Sequence, residues 1–171
     1  EIKALKILEV DSGKRYKYDI DKVIFAIGHS SRDTYKMLHS KGVAMENKPF
    51  AIGVRIEHLR KDIDKMQYGE AVSNPLLEAA TYNMAFNNKK ETRGTFSFCM
   101  CPGGEIVNAA SELGASLVNG MSYSTRCGKF SNSAIVVGVS EKDYGDQIFS
   151  GMHLQEKLEK KNYEIVGTYG A

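Results

Sequence analysis

Two cysteines, Cys99 and Cys101, stand one residue apart at the end of an apolar run and are followed at once by Pro-Gly-Gly, in the stretch TFSFCMCPGG. If a strand continues through them, both side chains project from one face with Cα atoms about 6.5 Å apart, which disfavours a disulfide. A structural zinc site needs four ligands with wider cysteine spacing, so we expect no metal. Two interpretations remain: thiols packed in a core, or a turn whose glycines, Gly103 and Gly104, let backbone approach a flat ligand.

Two arginines lie among the residues that could carry chemistry. Arg55 lies in GVRIEH, where the alternation of a strand places Arg55 and Glu57 on one face. This pair is either an ordinary solvated ion pair or a guanidinium that Glu57 orients towards a carboxylate or phosphate. Arg126 lies in the polar stretch VNGMSYSTRCGKFSNS, which lacks periodicity and predicts a long loop over residues 119–132.

The segment KVIFAIGHSSRD predicts a strand, a tight turn and a helix. Its continuous apolar run ends at Gly28 and is typical of a strand buried on both faces, and Ser30 and Ser31 are candidate helix caps. Backbone N–H groups at such a helix N-terminus can face an anion or the edge of a cofactor. An ordinary turn is the alternative interpretation.

The other patterns predict an α+β fold with a mostly antiparallel or mixed sheet and flanking helices. Strand patterns form hairpins over residues 2–19 and 82–100, and further strands are expected over 50–58, 104–111 and 133–144. Helical patterns occupy residues 29–42, 60–69 and 146–163.

The composition limits the classes of function. Among 171 residues, 23 basic and 21 acidic side chains are well mixed and give a net charge of +2, which offers no support for binding nucleic acid. The sequence contains neither a long apolar stretch nor a signal-peptide pattern, so we expect no membrane association. Three cysteines do not suggest a disulfide scaffold, and a reducing cytoplasm is the simplest location. A small-molecule or protein partner fits these features better than a nucleic acid does.

Three longer stretches together resemble a known family. KVIFAIGHSSRDTYKMLHSKGVAMENKPFAIGVRIEH, FSFCMCPGGEIVNAASE and VNGMSYSTRCGKFSNSAIVVGV are similar to the bacterial uncharacterised FAD-dependent dehydrogenases, often labelled NAD(FAD)-utilising dehydrogenases. The similarity extends over about residues 3–160. It implies a parent protein that transfers a hydride or an electron pair between a small-molecule substrate and FAD, with NAD(P)H as a candidate electron partner.

The resemblance also implies roles for particular residues. Arg55 and Arg126 would bind an anionic group, and Cys99 or Cys101 would be a redox or charge-transfer partner of the flavin. The residues expected beside FAD or its substrate cavity are Ala26, Ile27, Gly28, His29, Cys99, Cys101, Gly103 and Gly104.

The same resemblance implies a domain organisation. Residues 1–30 would be part of a β-meander and the strand that returns to the FAD domain, residues 31–145 a substrate or cap domain, and residues 146–171 a helix and linker. The family's G-x-G-x-x-G turn is absent from this sequence, and so is its C-terminal Gly-Asp segment. We therefore expect an internal fragment that is inactive alone, does not retain FAD, and depends on missing FAD-binding segments of the same polypeptide. The alternative is a non-catalytic α+β module that binds a ligand or a protein.

Overall fold

The computed structural model describes residues 2–88 and 93–169. The chain divides into two compact units, an N-terminal unit of residues 1–42 and a C-terminal unit of residues 43–171. The domain division expected at residue 30 concerns a parent flavoprotein and stays a prediction.

The N-terminal unit consists of a hairpin and a helix. Strands β1 (Ala4–Leu8) and β2 (Arg15–Asp19) pair antiparallel, as predicted, around a turn in which Gly13 adopts a positive φ of 67°. Helix α1 (Arg32–Ser40) follows and ends just before Gly42, also as predicted. Both faces of the hairpin are largely exposed.

The buried strand predicted for KVIFAIG does not form. Residues 22–28 belong to no strand, and the Ile24 side chain is 91% exposed. A strand requires a neighbour that accepts and donates its backbone hydrogen bonds, and no segment within residues 2–88 and 93–169 pairs with this run. The prediction was wrong because apolar composition identifies a segment suited to burial but does not supply the partner.

The described residues of the C-terminal unit form two antiparallel sheets. Its strands are β3 (Phe50–Leu59), β4 (Ala85–Asn88), β5 (Arg93–Cys101), β6 (Gly104–Asn108), β7 (Val118–Ser122) and β8 (Phe130–Val139). The larger sheet has the order β3-β8-β5-β4, and β6 and β7 form a separate hairpin. The α+β class is confirmed. The polar turn predicted between β4 and β5 falls mostly on residues 89–92, outside the described residues.

The predicted loop over 119–132 is wrong in part. It contains most of β7 and the start of β8, because residues 118–122 pair with β6 in a register that places Gly120 opposite Ile106. Glycine and asparagine have low strand propensity, so this strand carries no sequence signal of its own. Only residues 123–129 remain as a connection.

Three α-helices and one short 3-10 helix accompany these sheets in the described residues of the C-terminal unit. Helix α2 (Arg60–Tyr68) ends at Gly69, as predicted, and a short 3-10 helix (Gly69–Ser73) follows it. Helix α3 (Glu141–Tyr144) precedes α4 (Ser150–Val166), the helix expected from residue 146 onward. No described helix combines the length and the apolar character that crossing a membrane requires.

Candidate functional site

The two clustered cysteines lie on a β-bulge in β5. Phe98 is opposite Ala134 and Cys101 is opposite Asn132, so three residue steps on β5 match two on β8. The extra residue is accommodated with a positive φ of 48° at Cys99. The prediction that both thiols share one face is therefore wrong: Cys99 is exposed, whereas Cys101 is buried and only 6% exposed.

Arg55 reaches across the sheet to this bulge. Its Nη1 donates to Oδ1 of Asn132 at 2.6 Å and to the carbonyl oxygen of Cys99 at 3.1 Å, and it lies 3.8 Å from Sγ of Cys101. Glu57 is exposed, and the described residues show no ion pair between it and Arg55. In the described residues Arg55 forms no ion pair with Glu57, and Glu57 does not orient it either; its partners are Asn132 and the Cys99 carbonyl.

Asn132 is the buried centre of the cluster, with 0% exposure. A guanidinium can only donate, so the amide atom 2.6 Å from Arg55 must be the oxygen, which fixes the orientation of the amide. Its Nδ2 is buried without a hydrogen-bond partner among the described residues. One buried donor of the cluster therefore has no acceptor among the described residues.

Burial determines the chemical state of Cys101. Removal from solvent raises the pKa of its thiol above the ordinary value, and the neighbouring Cys99 raises that pKa further. The guanidinium of Arg55 opposes this effect but does not overcome it. Cys101 is consequently a neutral thiol near pH 7, which makes it a poor nucleophile.

The Pro-Gly-Gly turn packs against the chain itself. A Cβ added at Gly103, where φ is +55°, would lie 1.9 Å from the carbonyl oxygen of Arg126, and one added at Gly104 would lie 2.1 Å from that of Met121. Gly103 N–H donates to Oγ of Ser131 at 3.1 Å. Close packing against backbone explains both glycines without a ligand, so their expected place beside a flavin stays a prediction.

Among the described residues, Arg126 makes no hydrogen bond or ion pair with those that surround Arg55. Its Nη1 lies 3.5 Å from Oε2 of Glu78, and both side chains are substantially exposed. An exposed pair of this kind contributes little to stability and leaves the guanidinium accessible. The structure thus brings Arg55, Cys99 and Cys101 together and pairs Arg126 elsewhere.

The turn over Ala26, Ile27, Gly28 and His29 belongs to the N-terminal unit and is exposed. Gly28 has a positive φ of 73°, and a Cβ there would meet nothing within 4 Å. The Oγ of Ser31 donates to the carbonyl of Ile27 at 2.7 Å, directly before α1 begins. The predicted turn before a helix is present. The space beside the Gly28 Cα is open, while the Gly28 carbonyl accepts from the Tyr35 hydroxyl at 3.0 Å.

Sequence reasoning missed some of the residues that form the buried cluster. Ser131 and Ser133 flank Asn132 in β8, and all three are fully buried although polar. A Cβ at Gly120 would lie 2.3 Å from both Arg55 Nη1 and Asn132 Oδ1, so the β6–β7 hairpin packs directly on the cluster. A polar Ser-Asn-Ser run gives no hydrophobic signal, and only the pairing of the strands reveals it.

The described residues define an α+β domain whose antiparallel sheet carries a half-buried arginine next to a buried asparagine and a buried thiol. They contain no group of three His, Cys, Asp or Glu side chains that could hold a metal ion. The family model described as FAD-dependent protein, C-terminal domain-like, matches residues 49–171. The chain therefore belongs to this family of FAD-dependent proteins, which confirms that part of the resemblance seen in the sequence.

A relative from Clostridium beijerinckii, described as an uncharacterized protein, is similar to most of the chain. The two are 47% identical over 148 residues, which is 86% of this chain. The chain spans 28% of the length of that relative.

Proposed function

We propose that this chain is an internal part of an FAD-dependent oxidoreductase whose full-length parent transfers a hydride or an electron pair between a small-molecule substrate and FAD. The match of residues 49–171 to the C-terminal domain of FAD-dependent proteins carries the proposal. NAD(P)H is the proposed electron partner of that parent. The fragment alone has no activity in this proposal.

The turn over residues 26–29 is the proposed FAD contact within this chain. The open space beside Gly28 and its positive φ fit a cofactor edge approaching closely, because a side chain at this position would occupy that space. Bound FAD would supply the redox chemistry. The turn would hold the cofactor through backbone N–H groups at the start of α1.

Other segments of the same polypeptide are proposed to complete the flavin site. The exposed apolar run over residues 22–28 supports this, since its Ile24 side chain is 91% exposed and its backbone has no strand partner in the described chain. Burial of such a run in a neighbouring sheet would remove apolar surface from water. In this proposal residues 1–30 belong to the FAD domain, residues 31–145 form the substrate or cap domain, and residues 146–171 lead back to the FAD domain.

The roles proposed for the C-terminal unit follow from its contacts. Arg55 supplies a positive charge beside the bulge, and Arg126 is an accessible second guanidinium. The exposed Cys99 is the better candidate for a redox or charge-transfer partner, because Cys101 is buried and its pKa is raised. Gly103 and Gly104 hold the turn that follows both cysteines.

The test uses the full-length protein. We expect it to purify with about one flavin per chain, or to bind added FAD, while residues 1–171 alone bind none. Gly28→Ala should lower FAD affinity, because the methyl group occupies the open turn and strains a positive φ. Gly13→Ala is the matched control, since Gly13 also has a positive φ and open surroundings but lies in the hairpin turn. A full-length protein that binds no flavin would overturn the proposal.

A further inference from the structure

The β6–β7 hairpin contains a chemically labile pair, Asn119 and Gly120. Every other asparagine of the sequence is followed by a residue that has a side chain, so this is the one Asn-Gly pair. Asparagine is among the thermally labile residue types. Its amide carbon can be attacked by the backbone nitrogen of the next residue, and a glycine leaves that attack unhindered because it lacks a Cβ. The pair is therefore the position in the sequence best suited to this reaction.

The pairing of β6 with β7 leaves the Gly120 nitrogen out of the ladder. Just beyond the two strands, Ala109 N–H donates to the carbonyl of Leu117 at 2.8 Å, which makes these residues a hydrogen-bonded pair. Such pairs alternate along an antiparallel ladder with non-hydrogen-bonded pairs, and Gly120 opposite Ile106 is one of the latter. In the described part of the chain β7 pairs with β6 alone. The Gly120 N–H consequently points away from β6.

The same N–H group is held against the Asn119 side chain. It donates to Oδ1 of Asn119 at 2.8 Å, which brings the nitrogen beside Cγ, the carbon that carries both Oδ1 and Nδ2. The Asn119 side chain is exposed, so water reaches its amide. The attacking nitrogen, the amide carbon and solvent are thus together at one point of β7.

Packing explains why residue 120 is a glycine. A Cβ added there would lie 2.3 Å from both Arg55 Nη1 and Asn132 Oδ1, and 2.8 Å from Sγ of Cys101. Any side chain at this position would displace one of these groups. The hairpin can therefore meet the cluster only through a glycine, and that glycine makes Asn119 labile.

We propose that Asn119 converts spontaneously to aspartate and isoaspartate in the folded chain, and that isoaspartate loosens the contacts around Arg55. The Gly120 nitrogen loses its proton and bonds to Cγ of Asn119, while the bond from Cγ to Nδ2 breaks and ammonia leaves. Water then opens the cyclic imide at either carbonyl carbon. One opening gives aspartate, and the other gives isoaspartate, in which the main chain runs through Cγ. Water is the only reagent, and nothing is oxidised or reduced.

The two products differ in their effect on β7. Both add a negative charge, but only isoaspartate adds a carbon to the backbone. Asn119 opposite Val107 is a hydrogen-bonded pair, because it lies two positions along the ladder from the pair before it. An extra atom after Asn119 therefore displaces Gly120 from its place beside Arg55 and Cys101. Isoaspartate changes the geometry of the cluster, whereas aspartate changes the charge alone.

The site is tested by ageing the folded 171-residue chain in mildly alkaline buffer and analysing its peptides by mass spectrometry. We expect the peptide with residue 119 to gain the mass difference between OH and NH2 faster than any other. A protease that cleaves before aspartate but not before isoaspartate distinguishes the products. Asn87, an exposed strand residue followed by Asn88, is the internal control. Modification of Asn119 no faster than of Asn87, or only after unfolding in urea, would overturn the proposal.

The variant Asn119→Gln tests the ring closure. Its side chain keeps the amide but is one carbon longer, so the backbone nitrogen would have to close a larger ring. We expect position 119 of this variant to stay unmodified during the same ageing. Modification at the rate of the unaltered chain would show that the imide is not the route.

The effect on the cluster is tested by alkylation of Cys101 with iodoacetamide. The acidic fraction of the aged chain, isolated by ion exchange, should react several-fold faster than the unaged chain, because the displaced hairpin uncovers the thiol. Asn119→Asp is the matched control, since it carries the charge without the extra carbon and should react at the unaged rate. Equal rates in the isoaspartate form and in Asn119→Asp would refute the loosening. None of these measurements involves flavin, so their outcome is independent of the proposed function.

Discussion

Nη1 of Arg55 lies 2.6 Å from Oδ1 of Asn132, and the same nitrogen donates to the carbonyl oxygen of Cys99. One guanidinium thus joins the edge strand β3, the central strand β8 and the bulge of β5. The contact involves the carbonyl of Cys99, not its exposed thiol, and the same nitrogen lies 3.8 Å from the buried Sγ of Cys101. The contacts of Arg55, more than those of either cysteine, join the three strands that form the site.

Arg55→Met should destabilise the C-terminal unit by about 2 kcal/mol, because the buried Oδ1 of Asn132 loses its donor. The matched control is Glu57→Gln, an exposed position on the same face of β3, which should change stability by less than about 0.5 kcal/mol. Urea unfolding of both variants measures the difference. Equal stabilities would show that the Arg55 contacts do not hold the bulge.

Gly103→Ala should be more destabilising than Gly114→Ala. Both glycines have a positive φ, so both substitutions carry about 1 kcal/mol of backbone strain. Only at Gly103 would the added Cβ also collide with backbone, 1.9 Å from the Arg126 carbonyl oxygen, whereas nothing lies within 4 Å at Gly114. Thermal unfolding measures the loss of stability in each variant, and the difference between them is the effect of the collision. A similar loss of stability in both would contradict the close packing of the Gly103 turn.

The three cysteines should differ in reactivity. Cys99 and Cys127 are exposed, and Cys101 is buried with a raised pKa. Alkylation by iodoacetamide at neutral pH should therefore modify Cys101 at least about tenfold more slowly than the other two. Mass spectrometry of the peptides measures each rate. Rapid labelling of Cys101 in the folded chain would contradict its burial.

Asp143 should contribute stability that acid removes. The backbone N–H of Ser140 lowers the pKa of its carboxyl group, and the Arg93 guanidinium lowers it further. A lowered pKa in the folded state stabilises the fold above the ordinary carboxyl value and loses that effect as the pH falls through the folded pKa. Asp143→Asn should therefore lower the melting temperature at pH 7, and the difference from the unmodified chain should shrink in acid.

The control for Asp143 is Asp146→Asn, three residues further on, whose carboxylate takes part in no described ion pair. We expect it to change the melting temperature little at either pH. A difference between Asp143→Asn and the unmodified chain that persists unchanged at low pH would count against the assigned cause.

The elements that the sequence predicted best are those whose signals are local. The turn at Gly13 between β1 and β2, the end of α2 at Gly69 and the apolar part of β8 each follow from adjacent residues. The strand predicted over 133–144 is wrong at its end, because β8 stops at Val139 and residues 141–144 form α3. Whether β7 forms a strand, and whether residues 22–28 pair, depends on partners elsewhere in the chain. The hydrophobic periodicity of a segment does not identify those partners.

The candidate site was predictable in its residues but not in its geometry. Arg55, Cys99 and Cys101 were singled out by type and spacing. The bulge that separates the thiols results from the register between β5 and β8. The residue types at positions 99–101 do not predict it.

The hairpin of β1 and β2 has a consequence for how the chain opens. Nine of its ten strand residues are exposed, and an isolated two-stranded hairpin is only marginally stable in water. Strand β8 has a neighbouring strand on each side, so the larger sheet protects its amide protons from exchange with solvent. Transient unfolding therefore begins at the N-terminal hairpin, so a protease would cut there while the sheet around Asn132 is still intact.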